Sequence, residues 1–272
     1  MMTNSNAMDL IRNRNSCRSF DGEPLSQDAV AALEQAFQGC LENPFGAAVR
    51  LPILDGGKLA GKKLGTYGVI RGASTYFAGV VKKHPLDIES LGWSMERAVL
   101  AAAALGLGTC WLAGTYSRAD FASAVPMDGD ERIVCVSPVG RPAPKRTVLD
   151  TMMRGVAGSA KRKPWHELFF DGSAGKPLGE REAGEWKDAL EAVRLAPSGS
   201  NGQPWRAVRR EGAFHFYRAV KEGSEYGRVD MGIAACHFEL VARERGLPGR
   251  WKADEPAAAV PGWQYSMSWV IA

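Results

Sequence analysis

Two stretches of this 272-residue chain align without a gap: GWSMERAVLAAAALGLGTCW, from Gly92 to Trp111, and GIAACHFELVARERGLPGRW, from Gly232 to Trp251. Each has glycine at the same two points, leucine after the second, and tryptophan at the end. Two more pairs occur in the same order. SFDGEPL at Ser19 pairs with FFDGSAGKPL at Phe169, and ALEQAFQGC at Ala32 with ALEAVRLAP at Ala189. Any two alanine-rich helices that end in Gly-Leu look alike, so one match alone says little. Three matches in one order suggest two copies of one unit. At roughly 100–200 residues per domain the length allows this. The expected halves are residues 1–160 and 161–272.

Local patterns place the elements of each half. Ser26 to Leu41 reads as an amphipathic helix, with Ser26 as N-cap, Asp28 in the first turn, and Val30, Leu33, Phe37 and Leu41 at helical spacing. Tyr67 to Lys82 reads as strand around a Gly72-Ala73-Ser74 turn. Leu91 to Leu105 is an almost wholly apolar helix that must be buried, and Gly106 can end it at positive φ. Ser117 begins a short helix that ends before Pro126, and Arg132 to Gly140 is a buried strand. Pro142 to Pro164 is a basic connector. Then come a helix over Glu185 to Leu195, a hairpin from Trp205 to Tyr217 around Glu211-Gly212, a helix over Asp230 to Arg245, and a C-terminal strand at YSMSWVI.

Composition narrows the function classes. Hydrophobic residues are 45 % and charged residues 24 %, enough apolar content for a sizeable core. The net charge of +4 suits a small anionic ligand and is too weak to indicate nucleic acid. Five scattered cysteines, without CxxC or Cys/His spacing, support neither a disulfide framework nor a zinc site, so a reduced compartment is expected. MMTNSNAMDLIRNR lacks an apolar signal core, and the run from Ala98 to Leu107 is too short to span a bilayer. The expected location is the cytoplasm, with no membrane partner.

The copies have diverged in a complementary way. Copy two has APSGSNGQPW where copy one has GCLENPFG, and copy one has RNRNSCRSF where copy two has KRKPWHELFF. Each half keeps one polar cluster that the other has lost. If the halves pack as a pseudo-symmetric dimer, the two clusters can complete one site. Arg14, Ser16 and Arg18 alternate, so an extended chain would point them to one face, a pattern that suits a phosphate. A solvated basic strand end has the same spacing, and Lys161 and Arg162 are equally ambiguous as part of a basic connector. LGLGTC lacks the G-x-G-x-x-G order after a strand and does not support a Rossmann site. His84, His166, His215 and His237 are scattered and form no catalytic constellation.

At these residues the chain resembles the FMN-dependent nitroreductase superfamily. Its members open with Arg-x-Ser-x-Arg/Lys-x-Phe, here Arg14, Ser16, Arg18 and Phe20. They carry Pro-Ser-x-x-Asn-x-Gln-Pro-Trp, here Pro197, Ser198, Asn201, Gln203, Pro204 and Trp205. They also have a helix ending in LGLGTCWLAG, here Leu105 to Gly114, and a strand ending like VSPVGRPA. The resemblance runs from about Met8 to Trp251. In ordinary members the Pro-Ser motif follows the first helix of each copy, and two identical chains share two flavin sites. Here it occurs only in copy two, so the chain looks like the fused pseudo-dimer subgroup, with one flavin site intact.

The resemblance implies an α+β nitroreductase-like fold of two pseudo-symmetric halves, with helices packed on antiparallel-dominated sheets. It implies an FMN flavoprotein using NAD(P)H as co-substrate, a ping-pong oxidoreductase that reduces nitroaromatic, quinone or similar small acceptors. Carried across, Arg14 and Arg162 would hold the FMN phosphate, with Ser16 on the phosphate or ribityl chain. Arg18 would reach the pyrimidine edge, and Pro197, Ser198 and Asn201 would wall the ring. The backbone at Ala113 and Gly114 would face N5. Many relatives have an acidic residue where Ala113 stands. No catalytic acid or base and no metal is required, and the expected assembly is a monomer with an internal pseudo-dimer or a weak homodimer. The alternatives are an FMN-binding sensor or carrier without efficient turnover, and a flavin-free scaffold.

Overall fold

In the computed structural model, which describes residues 6–55, 64–144, 161–220, 226–253 and 258–272, the helix α1 (Ala7–Asn13) leads into an extended segment and then α2 (Gln27–Gln38). Ser26 caps α2, its Oγ accepting the Ala29 N–H at 3.2 Å. Leu33 and Phe37 are the buried side chains of this helix. It ends at Gln38, short of Leu41, because Gly39 and Cys40 close a tighter turn through the Cys40 N–H on the Phe37 carbonyl.

Next come β1 (Val49–Arg50), β2 (Ile53–Asp55), β3 (Thr75–Lys82), α3 (Asp87–Ala104), β4 (Gly108–Thr109), α4 (Arg118–Ala124) and β5 (Glu131–Gly140). They make an antiparallel sheet in the order β1-β3-β5-β4, with β2 also on β3. The strand expected from Tyr67 starts only at Thr75. Tyr67 and Gly68 both have positive φ (49° and 76°) and form a turn instead. Along β3 every residue but Lys82 is buried. A Cβ at Gly79 would lie 2.9 Å from Leu91 Cδ1 and 3.0 Å from Met95 Sδ, so α3 packs tightly onto the strand there.

The second set is β6 (Phe169–Asp171), α5 (Lys187–Leu195), β7 (Trp205–Arg210), β8 (Ala213–Ala219), α6 (Tyr226–Glu244), β9 (Arg250–Lys252) and β10 (Trp263–Val270). Its sheet runs β6-β7-β8-β10-β9, with only the β6–β7 pair parallel. Glu211 and Gly212, both at positive φ (52° and 74°), turn β7 into β8 as expected of a tight hairpin. Its core is aromatic: the Phe238 ring centroid lies 5.4–5.8 Å from those of neighbouring rings, including Trp186 at 5.8 Å and Phe216 at 5.4 Å. Among the described residues, 13–144 form one compact unit, and Asn6–Arg12 with the chain from 161 onward form the other. Residues 145–160 of the expected connector lie outside the described residues.

The two sheets share a topology. The run β7-β8-β10-β9, with α6 between β8 and β9, repeats β1-β3-β5-β4 with α3 between β3 and β4. The helix ends agree bond for bond. Leu107 N–H reaches the Ala102 carbonyl and Gly106 N–H that of Ala103; Leu247 N–H reaches Ala242 and Gly246 N–H reaches Arg243. Gly106 and Gly246 both sit at positive φ (75° and 70°), as this helix stop requires. The pair at Ser19 and Phe169 is the exception. Phe169–Asp171 lies parallel to β7, whereas Ser19 and Phe20 bridge to Arg71 and Pro142.

Candidate functional site

In the first unit, the segment carrying Arg14, Ser16 and Arg18 is extended and fixed by backbone pairing. Ser16 bridges Thr109, and the Cys17 N–H donates to the Thr109 carbonyl at 2.8 Å. The Arg18 carbonyl accepts from the Arg71 N–H at 2.9 Å. The approach to β4 is close enough that a Cβ at Gly108 would meet Cys17 Cβ at 2.7 Å. Glycine is therefore needed where the Arg-x-Ser segment crosses.

Leu112 pairs with Val136 through two 2.9 Å hydrogen bonds, and the chain then bends at Ala113 and Gly114. One short stretch, Thr109 to Gly114, thus anchors the Arg-x-Ser segment and carries the two residues expected to face the flavin. Glu96, on α3, ties them further. Its side chain is wholly buried; Oε2 accepts the Trp111 Nε1–H at 2.8 Å, and Oε1 lies 4.0 Å from Arg14 Nε. The Arg14 side chain is only 9 % exposed, and its buried Nε has no hydrogen-bond acceptor among the described residues.

In the second unit, Arg162 and Asn201 come together. Arg162 Nη1 donates to Asn201 Oδ1 at 3.2 Å and Nη2 to the Leu195 carbonyl at 3.1 Å. Asn201 Nδ2 donates to the Lys161 carbonyl at 2.9 Å. Gln203, buried, accepts the Lys163 N–H at 2.8 Å on Oε1. Ser198 Oγ accepts the Gln203 N–H at 2.9 Å. The basic residues 161–163 therefore form a strut for the Pro197–Pro204 loop, a relation between distant segments that spacing could not reveal.

The loop has an unusual backbone. Ser200, Asn201 and Gln203 all have left-handed φ, at 50°, 55° and 48°. Non-glycine residues there are disfavoured by roughly 1–2 kcal/mol each and persist only where the surroundings fix them. Part of that fixing comes from Asp230, on α6, whose Oδ1 accepts the Gly199 N–H at 3.0 Å. Burial pushes the Asp230 carboxyl up to about 7, against the lowering effects of the Gly199 N–H and the Arg218 charge. Sequence reading assigned no role to Asp230, Glu96 or Gln203. Gln203 stood inside the Pro-Ser motif, the one available signal.

Three of the four histidines have local partners among the described residues. His84 Nδ1 accepts the Leu86 N–H at 3.3 Å. His237 Nδ1 lies 3.0 Å from the Ala192 carbonyl, and His215 Nδ1 lies 2.7 Å from Ser268 Oγ. Among the described residues no helix is long and apolar enough to cross a membrane, and no cluster of His, Cys, Asp and Glu could hold a metal ion.

A single chain with two like sheets and helices, an Arg-x-Ser segment on one and a Pro-Ser-x-x-Asn loop on the other, defines a nitroreductase-fold protein of the fused, two-half kind. The chain belongs to the family described as putative TM nitroreductase, whose model matches residues 6–242. It is similar over its length to the crystal structure of a putative nitroreductase from Thermotoga maritima: identity is 20 %, 98 % of this chain and 94 % of that one are covered, and the TM-score is 0.63. A putative nitroreductase from Desulfovibrio desulfuricans, solved in complex with FMN, is 21 % identical, with 55 % of this chain and 96 % of that one covered and a TM-score of 0.40. None of the curated proteins matches the chain.

Proposed function

We propose that this chain is an FMN-dependent oxidoreductase that uses NAD(P)H to reduce nitroaromatic, quinone or similar small acceptors in a ping-pong cycle. The observation that carries the reading is Arg14. A mostly buried guanidinium whose Nε has no hydrogen-bond acceptor among the described residues fits an anion, and a phosphate is the anion FMN offers. Family membership supports it, as does the complementary divergence of the two copies.

When bound, FMN supplies a two-electron carrier able to take hydride from NAD(P)H and pass it to an acceptor. The chain's own residues bind and orient. Arg14 and Ser16 hold the phosphate end, and Arg18 places a fixed positive charge at the pyrimidine edge. The backbone N–H groups at Ala113 and Gly114 address N5. Pro197, Ser198 and Asn201 wall the ring and keep water from it. Arg162 holds the loop through Asn201 and adds positive charge for the phosphate. Because each half supplies one cluster, the reading requires one FMN per chain. The halves 1–160 and 161–272, a cytoplasmic location, and a monomeric or weakly dimeric state belong to the same reading.

The test is a titration of FMN-free protein with FMN, followed by NAD(P)H oxidation with a panel of nitroaromatic and quinone acceptors. One FMN per chain and acceptor-dependent turnover are expected. A stoichiometry near two would refute the fused site. Tight FMN binding without turnover would instead favour a sensor or carrier, and no binding a flavin-free scaffold.

A further inference from the structure

The 197–204 loop is unusual in needing three left-handed non-glycine residues within four positions. Most of its ties run to the 161–163 strut or close within the loop itself. Others lead elsewhere: the Pro204 carbonyl accepts the Ala219 N–H, the Gln203 carbonyl accepts from Arg206, and the Gly199 N–H reaches the carboxyl of Asp230, which lies 31 positions further along the chain. Gly199 is not there for lack of room, since a Cβ would come no nearer than 3.9 Å to Asp230 Oδ2. The contact is a hydrogen bond to a buried acid, placed directly after Ser198 and before the first left-handed residue. A buried carboxyl is costly to keep, and a neutral amide of the same shape would accept the same N–H.

We propose that Asp230 is a positioning residue for the loop: its carboxylate, accepting the Gly199 N–H, holds Ser198 and Asn201 in the flavin-binding geometry, and its protonation loosens them. The inference rests on the FMN reading above and adds a proton-linked control to it. The groups acting on Asp230 are the Gly199 N–H from the loop and the guanidinium of Arg218 from β8. Arg218 is itself anchored by donating to Gln264 Oε1 at 2.7 Å, on β10. Both favour the carboxylate, while burial opposes it, so the balance falls near neutral pH. A protonated carboxyl is a weaker acceptor than a carboxylate, so the loop's tether weakens as the pH falls.

The experiment uses the full chain and two variants, Asp230→Asn and Asp230→Ala. Hydrogen exchange at Gly199 to Gln203 is followed in the FMN-free protein across neutral pH, corrected for intrinsic exchange. FMN affinity is measured over the same range. In the parent chain, protection of these amides should rise roughly three- to tenfold through neutrality, and FMN affinity should strengthen by a similar factor. In Asp230→Asn both should stay at the low-pH level of the parent, and in Asp230→Ala both should be lower still. Comparison with Asp230→Asn at each pH cancels the titration of the FMN phosphate. Identical profiles in the parent and Asp230→Asn would overturn the proposal, even if FMN binds. A pH-dependent change in protection without any FMN binding would uphold the tether and overturn the cofactor reading instead.

Discussion

Replacing Asp230 with asparagine should stabilise the chain, and by an amount that grows with pH. Burial raises the Asp230 carboxyl from its ordinary 3.8 to about 7 in the folded chain. Between those values the folded state holds a proton that the unfolded state has released, so rising pH favours unfolding. A rise of about three units corresponds to a loss of about 4 kcal/mol, complete once the pH passes the folded value. Asparagine carries no charge at any pH and still offers the Gly199 N–H a carbonyl acceptor. The variant should therefore match the parent near pH 4 and exceed it by up to about 4 kcal/mol above neutrality. Urea unfolding of both proteins without FMN, from about pH 5 to about pH 8.5, gives the difference directly. A difference that stays constant across that range would refute the reasoning, because it would mean that Asp230 does not change its protonation on folding. The variant is then more stable at high pH and a poorer flavin binder, a trade between stability and site geometry.

Arg14→Ala should weaken FMN binding roughly tenfold or more in a fluorescence titration, while Lys83→Ala, at an exposed position just after β3, should leave it unchanged. A Ser198→Leu, Asn201→Leu variant should purify colourless, with far-UV circular dichroism like that of FMN-free parent. Its melting temperature should be a few degrees lower, since hydrogen bonds worth about 1 kcal/mol each are removed. Glu131 is held down to about 2 by the Arg50 guanidinium and the Asp128 N–H. This group's contribution is present above its unfolded value and lost as pH falls towards 2, so the fall in stability on acidification should be shallower in Glu131→Gln.

The fold was legible where the signal was local. Ser26 and Ser117 cap the helices that follow them, and Glu211-Gly212 closes its hairpin. Gly106 and Gly246 stop equivalent helices with equivalent bonds, so the gapless match was reporting a backbone device rather than a shared composition. Tyr67 misled because aromatic and β-branched residues favour strands in general, while the left-handed backbone at Tyr67 and Gly68 makes a turn. The pair at Ser19 and Phe169 matched in sequence, yet one segment bridges Arg71 and Pro142 and the other lies along β7. Short motifs with Asp-Gly turns recur because the turn needs them, whatever strand they join.

The site was legible as residue types and not as a set of ties. Its motif residues could be named from the chain, but what holds them is distant in sequence. Glu96 serves Arg14 and Trp111 from the middle of an apolar helix, where nothing about its spacing marks it. The second copy sharpens the point. Trp251 Nε1–H also donates to a glutamate, the partly exposed Glu239, but that residue matches Val99, one helical turn from Glu96. Two copies have thus kept the tryptophan and its carboxylate acceptor while moving the acceptor by three positions, which a helix allows because positions three apart share a face. A position-by-position alignment reads that move as two unrelated glutamates. Each carboxylate also meets an arginine through its other oxygen; at Glu96 it is Arg14, from a distant segment, at 4.0 Å and largely buried. In Glu239 the same face takes Arg243, one turn along the same helix at 3.5 Å and largely exposed. One carboxylate thus links its tryptophan to a buried arginine of a distant segment, and the other links its tryptophan to an exposed arginine of its own helix.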